Sequence, residues 1–189
     1  MHKKVLFLLL VLFLTSCNNV LLLIAKGAGE LIEPQKETPA GIIGYCGQMT
    51  VNYDQLYMIK SQSTYSAFVN KYKNLPGIFV FDKNKYLVKT VGQNNCPWTL
   101  LNLPYDTTIQ RNRVENTELY NEIMSDFTLI NSKTEQVKFD YYIFCSWAKY
   151  TPKLTKALFE TVNKQKKENK LNVCHILLNV DLQESWTKN

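Results

Sequence analysis

The thiols and imidazoles carry the widest chemical repertoire in this 189-residue chain, and their spacing excludes more than it allows. Cys46, Cys96, Cys145 and Cys174 lie far apart, and no Cys-x-x-Cys pair exists. Neither a zinc ribbon nor a standard dithiol redox centre is encoded, because each needs paired thiols close along the chain. His2 and His175 are the only imidazoles, and His2 belongs to an N-terminal apolar segment. A histidine-rich metal site and a two-histidine mechanism are thereby excluded. No metal and no cofactor is expected: Gly27, Ala28 and Gly29 are too short a run for a phosphate loop, and no Lys-Ser or Lys-Thr follows them.

A lone thiol can still serve as a nucleophile where its pKa is depressed, which keeps Cys145 and Cys96 as candidates. Against this, Cys145 precedes its helix and misses the N-terminal amides that would favour a thiolate. The plainer reading makes Cys145 and Cys174, on apolar strand-like runs, small buried hydrophobes. A bridge between them is possible and geometrically demanding. Cys46, beside Gly44, Tyr45 and Gly47, and Cys96, before Pro97 and Trp98, stand in loop-like contexts and are a candidate disulfide. His175 lies in the apolar run 173–180 and reads as a core or sheet-face residue.

The elements that must hold these groups follow from periodicity. Residues 56–60 suggest a short strand. Thr64 is a plausible N-cap, after which Tyr65, Phe68, Val69 and Tyr72 share one helical face that ends near Asn74. Residues 78–81 and 86–91, joined by Asp82, Lys83, Asn84 and Lys85, read as a hairpin. Loop signals fill 92–113, and Leu119, Tyr120, Ile123, Met124 and Phe127 stripe a helix over 114–129. A strand at 139–144 then leads into a helix whose first turn tolerates Pro152 and whose buried row is Leu154, Leu158 and Val162. The run 171–180 is nearly continuous in apolar residues, as a strand covered on both faces of a parallel sheet should be. Strand, helix, strand over 139–180 is a βαβ unit.

Composition supports a folded domain: 46% apolar, 12% aromatic and 20% charged, with seven Gly and six Pro. The formal charge of +6 falls to +4 when Lys3 and Lys4 leave with the segment described next. So small a balance gives no reason to expect nucleic-acid binding. The densest basic stretch, Lys164, Lys166, Lys167 and Lys170, falls at a helix end, where cations complement the macrodipole.

Lys3 and Lys4, the apolar run 5–14, then Thr15, Ser16 and Cys17 form a secretory signal peptide, with an apolar stretch too short to be a stable span. Leu14, Thr15, Ser16 and Cys17 resemble the lipobox of bacterial lipoproteins. The resemblance implies cleavage after residue 16 and acyl chains such as palmitate on Cys17, whose thiolate is the group that can be alkylated. Asn18 follows in place of the inner-membrane retention Asp, which favours the outer membrane, facing the periplasm. Residues 17–40 read as a lipidated tether, in which 20–25 can begin a helix or dip into the lipid interface, and residues 41–189 as one domain.

The second half resembles the thioredoxin-like fold. Tyr142, Ile143, Phe144, Cys145, Ser146 and Trp147 are similar to the first core strand and to the Trp that precedes the redox motif in thiol-disulfide exchange lipoproteins. In that register the two catalytic cysteines are replaced by Ala148 and Thr151, with Lys149 and Tyr150 between them. Ala cannot attack a disulfide and Thr cannot resolve one, so ordinary thioredoxin turnover is not expected. Residues 75–89, from Leu75, Pro76 and Gly77 onwards, resemble the family's cis-Pro segment and hairpin, with Lys85 in place of the usual turn Gly. The resemblance makes Pro76 a candidate groove residue, cis by implication, with an ordinary trans Pro at a strand entrance as the alternative. Because Pro76 precedes Trp147, the implied fold is α/β, a thioredoxin-like central sheet with flanking helices in circularly permuted order, or else the first half is an unrelated extension. The expected function is an envelope lipoprotein whose redox-inactive domain binds a protein or peptide. An atypical oxidoreductase or peroxidase using one Cys, and a purely structural envelope component, are the alternatives.

Overall fold

Strands with apolar residues at every position need a cover on both faces, and the chain supplies two helices to each. The computed structural model describes residues 31–72, 75–88, 113–135, 138–168 and 171–187. In chain order these form β1 (Lys36–Glu37), α1 (Pro39–Gln48), β2 (Gln55–Ile59), α2 (Gln62–Tyr72), β3 (Ile78–Asp82), β4 (Leu87–Val88) and β5 (Arg113–Val114). Then come α3 (Glu118–Asp126), β6 (Phe127–Ser132), β7 (Tyr141–Trp147), α4 (Pro152–Glu168), β8 (Val173–Asn179), β9 (Leu182–Gln183) and a closing 3-10 turn, Glu184–Thr187.

A seven-stranded mixed sheet runs β5-β4-β3-β7-β8-β2-β6, and β1 pairs separately with β9. The centre is parallel: β7 pairs β8, with Phe144 opposite Ile176, and β8 pairs β2, with Leu177 opposite Leu56. β3 lies antiparallel on the other side of β7, β4 on β3, and β6 closes the far edge against β2. Alternating side chains sort into two cores. Ile143, Cys145, Trp147, Leu177, Leu56 and Val80 meet α1 and α4 on one face. Phe144, Ile176, Leu178, Tyr57, Phe79 and Phe81 meet α2 and α3 on the other. The molecule is a three-layer α/β structure, and β7-α4-β8 is the parallel strand-helix-strand unit that the apolar runs indicate.

Several sequence expectations change. The cap of α2 is Ser61, whose Oγ accepts from the Thr64 amide at 3.1 Å, so that Thr64 lies inside the first turn. The helix expected over 114–129 is shorter: Val114 belongs to β5, and Phe127 opens β6. Its stripe of Tyr120 and Ile123 is buried, but Phe127 reaches the same core from a strand. Leu154 is 43% exposed; the buried row of α4 is Thr155, Leu158, Phe159, Val162 and Gln165. Cys46 is not in a loop: Thr38 caps α1 by accepting from the Gly41 amide at 3.1 Å, Pro39 opens it, and Cys46 faces the core from its last turn. Within the expected tether, Lys36 and Glu37 pair with β9, and Pro39 and Ala40 open α1. Most of the expected loop 92–113, Cys17 and Cys96 lie outside the described residues.

Candidate functional site

The parallel strands β7 and β8 end together, and the chain turns there from Trp147 into α4. Trp147 is fully buried, stacked on Tyr45 of α1 at 5.7 Å between centroids and edge-on to Phe159 at 5.0 Å. Ala148 is buried on the opposite face of the sheet. Its carbonyl accepts from the Thr155 hydroxyl at 2.7 Å, the Thr151 hydroxyl at 3.1 Å and the Thr151 amide at 3.2 Å. Two threonines thus hold residues 148–151 as a closed turn at the N-terminus of α4, where unpaired backbone groups would otherwise need water. The Lys149 amide donates to both carboxylate oxygens of Asp181 at 3.0 Å, and Asn179 donates to the same carboxylate at 2.6 Å. Burial pushes the Asp181 carboxyl upward, against the pull of these donors.

Beside this turn runs the entry to β3. The Leu75–Pro76 peptide is cis. Directly after it, the Gly77 amide donates to Ser146 Oγ at 2.8 Å and the Ser146 amide to the Gly77 carbonyl at 2.8 Å. Pro76 and Trp147, distant in sequence, therefore flank one backbone-paired junction. A cavity of about 240 Å³ opens next to it, lined by Phe68, Val69 and Tyr72 of α2, by Leu75, and by Tyr150, Thr151 and Leu154 around the turn, with Leu31 as a further wall. Burial, followed by the nearby Tyr65, pushes the Tyr150 hydroxyl upward, so it stays a neutral donor. The Ile32 amide donates to the Tyr150 carbonyl at 2.9 Å, and Lys149 Nζ pairs with Glu37 Oε1 at 2.6 Å.

Trp147, Ala148, Lys149, Tyr150 and Thr151, expected as positions of a degenerate motif, lie with Pro76 at one end of the sheet. Cys46 does not join them as a reactive group: it is a free thiol, buried in α1, and burial pushes it up to about 12. Cys145 and Cys174 are free, fully buried and likewise pushed up to about 12 by burial. They belong to opposite faces of the sheet. At neutral pH a thiol with such a pKa is thiolate in only about one molecule in 10⁵.

A second polar cluster escaped the sequence reading. His175, 2% exposed, shares a hydrogen bond between Nε2 and Gln165 Oε1, and its amide donates to Asp54 Oδ2 at 2.8 Å. Lys166 Nζ donates to Asp54 Oδ1 at 2.7 Å, and His175 Nδ1 stands 3.6 Å from Asp54 Oδ2. Burial works against the Asp54 charge, but the His175 and Lys166 donors outweigh it and hold the carboxyl at about 2. Burial pushes His175 below its usual value, with Asp54 opposing. The cluster ties β2, β8 and α4 together, with His175 and Gln165 buried and Asp54 and Lys166 partly exposed. Its sequence signal is Gln165 in phase with Leu158 and Val162 on a mostly apolar helical stripe.

No metal-ligating group of three or more His, Cys, Asp or Glu side chains occurs among the described residues. No protein-family model, curated protein or solved structure matches the chain.

Proposed function

We propose that this chain is a lipid-anchored envelope lipoprotein, acylated at Cys17 and held at the outer membrane facing the periplasm, whose domain binds an extended apolar stretch of another protein. On this reading the domain is a redox-inactive thioredoxin-like fold in permuted order. The support for the fold is the strand sequence β4-β3-β7-β8, with a helix crossing between the parallel pair and Pro76 entering the antiparallel strand beside Trp147. The support for lipidation is the Leu14, Thr15, Ser16 and Cys17 pattern.

One observation carries the binding function. The cavity beside Tyr150 and Thr151 is walled almost wholly by apolar side chains, Leu31 among them, and the chain beside it is fixed by the Ile32 amide on the Tyr150 carbonyl. An aliphatic side chain of a client fits the space between these apolar walls. Immobilised short peptides, each with one leucine or isoleucine among polar residues, should retain the mature chain, and Leu154→Glu should abolish retention. Retention that ignores Leu154, or none anywhere in the array, sinks the reading. Insulin-reduction and peroxide-consumption assays separate the enzymatic alternative: turnover abolished by Cys96→Ser or Cys145→Ser would replace a binding module with a one-thiol catalyst.

A further inference from the structure

Asp181 lies just beyond the end of β8 and is 1% exposed. Its carboxylate accepts the Lys149 amide on both oxygens and the Asn179 side-chain amide on one. Its own amide donates to Asn179 Oδ1 at 3.2 Å, and its carbonyl accepts from Gln183 Nε2 at 2.8 Å. A residue fixed in this way to the end of the sheet therefore reaches across to the turn 148–151, whose Tyr150 and Thr151 are walls of the cavity. Thr151 and Thr155 fasten that turn at Ala148, and Asp181 fastens it at Lys149. The ionisable groups about Asp181 are Glu37 of β1, Lys149 and Tyr150 of the turn, and Tyr45 of α1. Two carboxylates share one lysine: Glu37 takes the ammonium at 2.6 Å and Asp181 the backbone amide.

We propose that Asp181 is a positioning residue for the cavity: its ionised carboxylate fixes Tyr150 and Thr151 in the cavity wall through the Lys149 amide, so that acid releases a bound client. This rests on the peptide-binding reading and adds its regulation. A neutral carboxyl keeps one full acceptor oxygen and gains an O–H, and bonds to it are about half as strong as bonds to the charged form. Protonation thus slackens the hold on Lys149 without removing a side chain, and the binding-competent fraction follows the ionised fraction. Burial first, then the nearby Glu37, pushes the Asp181 carboxyl above its ordinary 3.8, against Asn179 and Lys149. A raised folded value gives a contribution to stability that is complete below 3.8 and is lost as pH rises through that folded value. Acid therefore eases the body through Asp181 while it loosens the cavity wall. Asp54, with its lowered carboxyl, acts in the opposite sense on stability.

The probe is a peptide with one leucine among glycines and serines, acetylated and amidated so that only the protein titrates. It is titrated into the full mature chain from neutral pH down to about pH 4, with near-UV circular dichroism checking the folded state at each step. Affinity should fall toward acid, approaching about tenfold per pH unit once Asp181 is mostly neutral. Asp181→Asn should bind weakly at neutral pH and show no acid limb. Glu37→Gln removes the neighbouring negative charge, so the limb should persist and move to lower pH, a response that packing alone does not produce. Should Asp181→Asn fail to fold, the parent and Glu37→Gln profiles carry the test. A level parent profile, a limb that survives in a folded Asp181→Asn chain, or a limb that Glu37→Gln leaves in place overturns the positioning role and leaves the groove reading standing. No binding by the parent at neutral pH removes both.

Discussion

Asp54 shows how a single carboxylate can set a pH profile. Its carboxyl is held at about 2 against a model value of 3.8, because ionisation is stabilised by Lys166 and by the His175 side chain and amide more than burial opposes it. A depressed folded-state pKa contributes stability that is complete above 3.8 and is lost as pH falls from there through about 2. His175 is depressed too, so its contribution is complete above 6.5 and decays as pH drops below that value. Asp54→Asn should lower stability at pH 7 by about 2 kcal/mol and flatten the urea midpoint between pH 4 and 2. An unchanged acid limb would assign that limb to another carboxylate. The thiols give a second expectation at this scale. In a chain carrying Cys17→Ser and Cys96→Ser, a thiol reagent should modify Cys46, Cys145 and Cys174 only after guanidinium unfolding, since all are buried with pKa values near 12.

The sheet centre and its edges differ in what they demand of a side chain. Phe144 meets Phe81 at 5.2 Å and Tyr120 at 5.4 Å, both edge-on, with no exposure. Phe144→Ala should cost about 3–5 kcal/mol by denaturant titration. Leu129, on the edge strand β6 and 47% exposed, should tolerate Ser within about 0.5 kcal/mol. Ser146→Ala strips the Gly77 amide of a buried acceptor and should cost about 1–3 kcal/mol while loosening the entry to β3. If Ser146→Ala proves neutral, the junction beside Pro76 is held by its ladder alone.

The same contrast explains which elements the sequence discloses. β7, α4 and β8 are long, periodic and buried, and their unit is legible from apolar spacing. β6 was missed because the stripe from Leu119 to Phe127 keeps helical phase across the boundary, so only tertiary pairing with β2 decides that Phe127 belongs to a strand. α1 was missed because Gly41, Gly44 and Gly47 lower its intrinsic propensity, while Thr38, Pro39 and its packing on Trp147 restore it. Of the candidate site, Trp147 to Thr151 and Pro76 could be named in advance. The arm at 31–37 could not, because Pro34, Lys36 and Glu37 read as linker until Lys149 and Tyr150 are placed beside them.

For the whole molecule the anchoring proposal makes the broadest claim. Cys17→Ser should shift the protein from the detergent phase to the aqueous phase in a cloud-point partition, and the mature parent should carry a mass increment equal to its acyl chains. Retention of the Ser variant in the detergent phase would place the anchor elsewhere, with the apolar stretch 20–25 the first place to look. The point at which the arm meets the folded body has a geometric corollary. Fourteen peptide steps separate Cys17 from Leu31, which is at most about 50 Å of fully drawn-out chain. On the anchoring proposal, a leash that joins the body beside Tyr150 would keep that flank within about 50 Å of the lipid headgroups. Any cargo would then be met within that reach of the bilayer surface.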